Sequence, residues 1–321
     1  MALIKIVVLD AHALNPGDLS WEPLRAIGDL QVFDRSADDQ VVARALEAEI
    51  VLTTRTRLSG HTLRQLKKTR YIGVLFTGYD VVDVKAAREL NIVVTNVPTY
   101  GTASVAELTF ALILELSRHL ALHSEATRTG EWSRSVDFTL WKAPLIELAG
   151  KTLGIIGLGR IGRRVAEIAL AFEMQVIAAD EIKSPVPDWP NFRWYEVDEL
   201  LAQADVVSLH CPLLPQTRGI INARSLALMK PGAFLINVSR GPLVTEQDLA
   251  DALNNGRLAG AAVDVLSSEP PSPDNPLLRA KNCVVTPHIA WATREARTRL
   301  LNTAVANVRA FLDGKPVNIV N

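Results

Sequence analysis

Short apolar runs recur along this chain, separated by longer stretches in which apolar residues return every three or four positions. In the first third the runs fall at 4–9, 32–33, 50–52, 72–75 and 92–94. Runs of that length alternating with helical stretches read as strands of a parallel sheet covered on both faces. A long helix is expected over about 104–119, followed by an irregular stretch holding Gly130, Trp132, Trp141 and Pro144. From Lys151 the alternation resumes, with strand runs at 153–156, 176–179, 206–209, 233–238, 259–263 and 283–285. Thr245 with Asp248 three residues on resembles a capping box, and Asn255-Gly256 resembles a helix stop. A final helix over about 293–312 should end at Gly314, with Pro316 behind it.

The residues that follow the second series of strand runs are Gly157, Asp180, His210, Ser239-Arg240, Asp264 and His288. Ligands of an open parallel sheet bind beyond the carboxyl ends of its strands. Glycine and polar residues gathered there point to one shared crevice.

Composition narrows the ligand. At 321 residues, 48% hydrophobic and 21% charged, the chain is expected to form two domains with full cores. A formal net charge of -1 supplies no basic field, which argues against nucleic acid or an anionic membrane as main partner and for a small molecule. Two cysteines, Cys211 and Cys283, are too few for a disulfide framework and lack a metal-ligand spacing. They read as reduced thiols of a cytoplasmic protein with no metal site. The opening MALIKIVVLD reads as a first strand, not a signal peptide. The greasiest stretch, 108–116, is interrupted by Glu115, and no segment reaches the roughly 18 apolar residues of a membrane span.

Gly157-Leu158-Gly159-Arg160-Ile161-Gly162 is a G-x-G-x-x-G turn between the strand KTLGII and an apolar helix, and Asp180 lies 23 residues beyond Gly157. In that setting the turn reads as a dinucleotide site: Gly157 allows the tight turn, Gly159 a close approach to pyrophosphate, and Gly162 close packing of helix on strand. Asp180 can accept the hydroxyls of an adenosine ribose and would repel a 2′-phosphate. With Glu181 beside it, NAD (NADH) is expected over NADP, against which Lys183 and Arg160 weigh.

Arg240, Glu269 and His288 follow three successive strands and together make the set a hydride-transfer enzyme needs. An arginine fork can hold a carboxylate and polarise the adjoining carbonyl. A histidine can give the carbonyl oxygen a proton, and a glutamate beside it favours the protonated ring and orients it.

GLGRIG with Asp180, NVSRGPLVTEQDL, GAAVDVLSSEP and TPHIAWATREAR, in that order, resemble the D-2-hydroxyacid dehydrogenases, and TGYDVVDVKAARELNIVVTNVPTYGTASVAE is similar to that family's hinge and substrate loop. The resemblance implies an α/β fold of two doubly wound parallel-sheet domains. A Rossmann NAD-binding domain, 100–291, would be inserted into a discontinuous flavodoxin-like substrate domain, 1–99 and 292–321. Substrate would bind in the cleft, and closure would exclude water. It implies Arg240 on the substrate carboxylate and carbonyl, His288 as acid/base, Glu269 as its partner, Asp264 on the nicotinamide amide, and backbone N–H groups of Thr77 and Gly78 on the carboxylate. Cofactor contacts are expected from Gly157, Gly159, Arg160, Ile161, Gly162, Asp180, His210, Thr217, Val238 and Asp264. Val81 and Tyr79 depart from the common pattern, which leaves the pocket shape open. The histidine–isoleucine–alanine–tryptophan sequence, with Trp291, resembles the glycerate dehydrogenase (hydroxypyruvate reductase) branch and implies hydroxypyruvate and glyoxylate as substrates. Packing is the other reading of Trp291. Trp141 either reaches a neighbouring subunit or packs in the core, and a homodimer is the family expectation.

Two alternatives stay open. Phosphoglycerate dehydrogenase shares the fold, though the chain ends soon after its last helix, where many such enzymes carry a regulatory domain. An NADH-sensing co-repressor-like binding protein shares the triad, though the near-neutral charge and lack of disordered tails count against a scaffold.

Overall fold

The strands form where β-branched and aliphatic residues run uninterrupted, because a strand covered on both faces needs apolar side chains on both. The computed structural model describes residues 3–183 and 187–321, which divide into two compact units, 3–101 with 291–321, and 102–183 with 187–290.

The first unit holds β1 (Lys5–Val8), β2 (Asp29–Val32), β3 (Ile50–Thr53), β4 (Tyr71–Val74) and β5 (Val93–Thr95), all parallel in the order β2-β1-β3-β4-β5. β2 lies earlier than the 32–33 run suggests. Its pairing with β1 begins at Asp29, and the apolar pair is only its trailing edge. One face packs Ile6, Val8, Ile50 and Leu52 against Leu300, Leu301, Ala304, Val305 and Val308 of the helix Arg294–Leu312. That helix is anchored by Arg297, whose guanidinium forms a bidentate pair with Asp18 at 2.7 Å on both arms. The Cys-free carboxy-terminal tail returns to the sheet edge, where Val320 N–H donates to Val94 O.

The second unit holds β6 (Thr152–Ile156), β7 (Gln175–Ala179), β8 (Arg193–Trp194), β9 (Val206–Leu209), β10 (Phe234–Asn237), β11 (Gly260–Val263) and β12 (Cys283–Val285), parallel in the order β12-β11-β10-β9-β6-β7-β8. β8 adds a strand that the apolar runs did not reveal. Side chains alternate between faces: Leu153 and Ile155 pack with the helices Thr102–Arg118 and Arg160–Ala171, while Ile156 packs with Leu200, Leu226 and Leu249 on the other side. Chain order reverses between β6 and its two neighbours β7 and β9, the switch point at which such sheets bind ligands.

Two local expectations are corrected. The stretch after His119 is not wholly irregular: His119 takes a left-handed conformation, φ 49°, and ends one helix, after which Leu120–Arg128 forms another. Thr245 is an N-cap without a side-chain bond, so there is no capping box there. The acids of that first turn serve tertiary contacts instead: Glu246 accepts from Ser267 N–H, and Asp248 from Ala223 N–H. Among the described residues no helix is long and apolar enough to cross a membrane.

Candidate active site

The glycine turn sits at the switch point. Gly157, directly after β6, has φ 97°, and a Cβ there would lie 2.5 Å from the Cys211 nitrogen. It therefore meets both demands that only glycine satisfies, a left-handed backbone and a close approach to the end of β9. A Cβ on Gly162 would lie 2.3 Å from the Gly157 carbonyl oxygen, so this glycine lets the helix Arg160–Ala171 start against the turn. Gly159 is different. It is the N-cap at φ -74°, and a Cβ on it would meet nothing within 4 Å. Among the described residues nothing requires glycine at 159, and a pyrophosphate drawn to the helix N-terminus would fill that space. Asp180, after β7, accepts from Leu158 N–H at 2.6 Å and Ile182 N–H at 3.2 Å, which fixes its carboxylate against the turn. Arg160 and Ile161 open the helix, Arg160 exposed and Ile161 partly buried.

His210 follows β9, with Nε2 at 2.8 Å from Ser208 Oγ. The residue keeps some exposure, yet burial of its imidazole pushes its pKa down to about 3, so the ring is neutral beside the turn. The Thr217 hydroxyl closes its own loop, donating to Pro212 O at 2.7 Å and accepting from Leu214 N–H at 2.8 Å. Val238 is buried just after β10.

Arg240 is exposed at the end of β10, with Nη1 donating to Ser239 O at 2.8 Å. Two residues outside the sequence expectations shape its turn. Asn237, 1% exposed, donates to Arg240 O at 2.9 Å and accepts from Ser239 N–H at 3.1 Å. Gly241 lies on the backbone of the Glu269 loop, where a Cβ would stand 2.0 Å from the Leu266 carbonyl carbon. The signal for Asn237 was a polar residue closing the otherwise apolar strand FLIN.

Glu269 and His288 come together. His288 Nδ1 lies 2.6 Å from Glu269 Oε2, and Glu269 Oε1 accepts from Leu266 N–H at 3.0 Å. Both side chains are partly buried. With Glu269 a carboxylate, which only accepts, the ring donates from Nδ1, and Nε2 stands outside this pair. Asp264, after β11, is 1% exposed. Its Oδ1 accepts from Thr286 Oγ1 at 2.6 Å and Ile289 N–H at 2.9 Å, its Oδ2 from Ala290 N–H at 2.8 Å. Burial pushes its pKa above the usual carboxylate range, and the bonds from Thr286, Ala290 and Ile289 pull the other way.

The remaining expected residues belong to the first unit. Thr77 and Gly78 follow β4; Thr77 Oγ1 donates to Val97 O at 2.9 Å, and Asn96 Nδ2 donates to Thr77 O at 2.7 Å. Trp291 packs edge-on against Phe76, with ring centroids 4.7 Å apart, and lies near Tyr100. Tyr79 is exposed. In the second unit Trp141 is 77% exposed, which excludes core packing within the chain.

Residues 110–290 match the family described as D-isomer specific 2-hydroxyacid dehydrogenase, NAD binding domain. A hydroxypyruvate reductase of Blautia hydrogenotrophica is 50% identical over 321 residues, covering 99% of this chain and 100% of that one. The chain belongs to the D-isomer specific 2-hydroxyacid dehydrogenases. It is thus an oxidoreductase acting on CH–OH groups with a nicotinamide cofactor. Two solved structures share this dehydrogenase fold over nearly the whole chain. The D-lactate dehydrogenase of Aquifex aeolicus, complexed with NAD and lactic acid, is 29% identical at a TM-score of 0.82, covering 97% of this chain and 96% of its own. An acyclic imino acid reductase in complex with NADPH and D-Arg is 32% identical at 0.84, covering 99% and 100%.

Proposed function

We propose that this dehydrogenase reduces hydroxypyruvate to D-glycerate with NADH, and glyoxylate as a second substrate. The observation that carries the reading is the 2.6 Å pairing of His288 with Glu269, on strand-end loops beside the one that bears Arg240. The full-length similarity to a hydroxypyruvate reductase supports the choice of substrate.

The nicotinamide ring would supply the hydride to the carbonyl carbon. Arg240 binds the substrate carboxylate through its fork and polarises the carbonyl oxygen, which gathers charge as the hydride arrives. His288 donates a proton from Nε2 to that oxygen, and Glu269, bonded at Nδ1, orients the ring and stabilises its cationic form. The carboxylate of Asp180 beside the glycine turn supports NAD over NADP, because it would repel a 2′-phosphate. Exposed Val136, Phe138 and Trp141 support a homodimer, and two free cysteines suit the cytoplasm.

The test is cofactor oxidation with hydroxypyruvate, glyoxylate, pyruvate and 3-phosphohydroxypyruvate, each with NADH and NADPH. Hydroxypyruvate with NADH should turn over fastest. His288→Asn should lower kcat by about 10²–10⁴-fold, and Arg240→Ala should lower kcat/KM by roughly a hundredfold or more. Preference for another keto acid overturns the substrate, and preference for NADPH overturns the cofactor. Turnover untouched in both variants overturns the roles.

A further inference from the structure

Glu269 stands in the loop 264–275, which belongs to no helix or strand and joins β11 to the short helix Pro276–Arg279. Around it Ser267, Ser268 and residues 270–274 are exposed. A segment with few buried contacts opens at low cost. The hydrogen bonds that close this loop therefore matter to where the carboxylate meets His288.

Two of those bonds meet on Glu246, the first residue of the helix Glu246–Asn254. Its Oε1 accepts from Ser267 N–H at 2.6 Å and its Oε2 from Asn275 Nδ2 at 2.8 Å, so one side chain closes the span 267–275 with Glu269 inside it. The first of these bonds lies next to the anchor of Glu269 itself. Leu266 N–H donates to Glu269 Oε1 at 3.0 Å, while Glu269 Oε2 lies 2.6 Å from His288 Nδ1. A short chain of contacts thus runs from Glu246 through the 266–267 backbone to Glu269 and on to the imidazole.

We infer that Glu246 is a positioning residue for the reaction: by closing the 267–275 loop at both ends, it holds Glu269 where that carboxylate orients His288. The inference rests on the reading of His288 as acid/base and Glu269 as its partner. The site calls for a carboxylate, because both oxygens must accept. Ser267 offers only a backbone N–H. Asn275 cannot turn its amide round, because its Oδ1 accepts from Leu277 N–H at 3.0 Å. Glutamine at 246 keeps the size but, whichever way its amide is turned, sets an NH2 against one of these donors.

The test uses the full-length protein with NADH and whichever of the four keto acids turns over fastest. Glu246→Gln should lower kcat by about tenfold or more, while the Kd for NADH stays within about twofold. Asn275→Asp keeps the acceptor for Leu277 but opposes two carboxylates, and should lower kcat by about fivefold. The decisive arm is a double-mutant cycle with Glu269→Gln. If Glu246 acts through Glu269, adding Glu246→Gln to Glu269→Gln should slow the enzyme by no more than about twofold further. Losses that multiply, or an unchanged kcat in Glu246→Gln beside a reduced one in Glu269→Gln, overturn the positioning role alone. Turnover preserved in Glu269→Gln sinks the reading of the His288–Glu269 pair, and the positioning role with it.

Discussion

The glycine turn and the Arg240–Glu269–His288 loops border the same end of one sheet, yet they are built on opposite plans. At the turn, the helix begins on Gly159, which has no side chain to cap the first N–H groups and open space where a Cβ would be. At the other loops the backbone is tied down by the protein itself. Asn237 holds the Arg240 turn, Gly241 seats that turn on Leu266, and Asp264 straps the His288 loop. On the proposed function, the difference follows from the work each would do. Anion binding needs several donors pointing one way, and the ligand can complete their geometry. Proton transfer needs one nitrogen placed to within about half an ångström before the substrate arrives.

The sharpest way to break this contrast is to add a methyl group on each side of it. Gly241→Ala places a Cβ 2.0 Å from backbone that cannot swing away. It should cost more than about 4 kcal/mol and lower the melting temperature by about 10 °C or more, or leave the protein insoluble. Gly159→Ala should leave the melting temperature nearly unchanged, because its φ is ordinary and a Cβ there would meet no described residue within 4 Å. Fluorescence titration should nonetheless show NADH binding weakened by about tenfold or more. Equal melting temperatures for the two variants, or full NADH affinity in Gly159→Ala, would remove the distinction between a packed rim and a ligand-facing one.

The smallest effect concerns His210. Its folded pKa is depressed to about 3, so between there and its ordinary value near 6.5 the unfolded chain binds a proton that the folded chain does not. Its stability contribution is therefore complete above about pH 6.5 and declines as pH falls toward 3. Urea unfolding at pH 7 and pH 5 should show a stability loss smaller by about 1 kcal/mol in His210→Gln than in the parent. An equal loss in both would mean that the imidazole is not desolvated.

Both sheets were legible in the sequence, because apolar runs ended by glycine or a polar residue mark parallel strands and their carboxyl ends. Gly157, Asp180, Arg240 and His288 could be placed for the same reason. What the sequence hid was tertiary. β8 spans only Arg193–Trp194, too short to show a period. The helix after His119 begins at a left-handed residue that no propensity marks. The acids at 246 and 248 look like helix-capping groups until they are seen reaching across to Ser267 and Ala223. Asn237 and Gly241 escaped notice because one acts from inside a strand end and the other through a neighbour's backbone.

The helix Arg294–Leu312 closes one face of the first sheet, although β1–β5 were made at the other end of the chain. During synthesis, β1–β5 therefore emerge first and finish last. Their face toward Leu300, Leu301 and Val308 stays wet until the ribosome has released that helix, while the second unit already has its whole sequence by residue 290. The order of birth and the order of completion are reversed in this polypeptide, and its first-made sheet is the one most exposed to aggregation on the way to the native state.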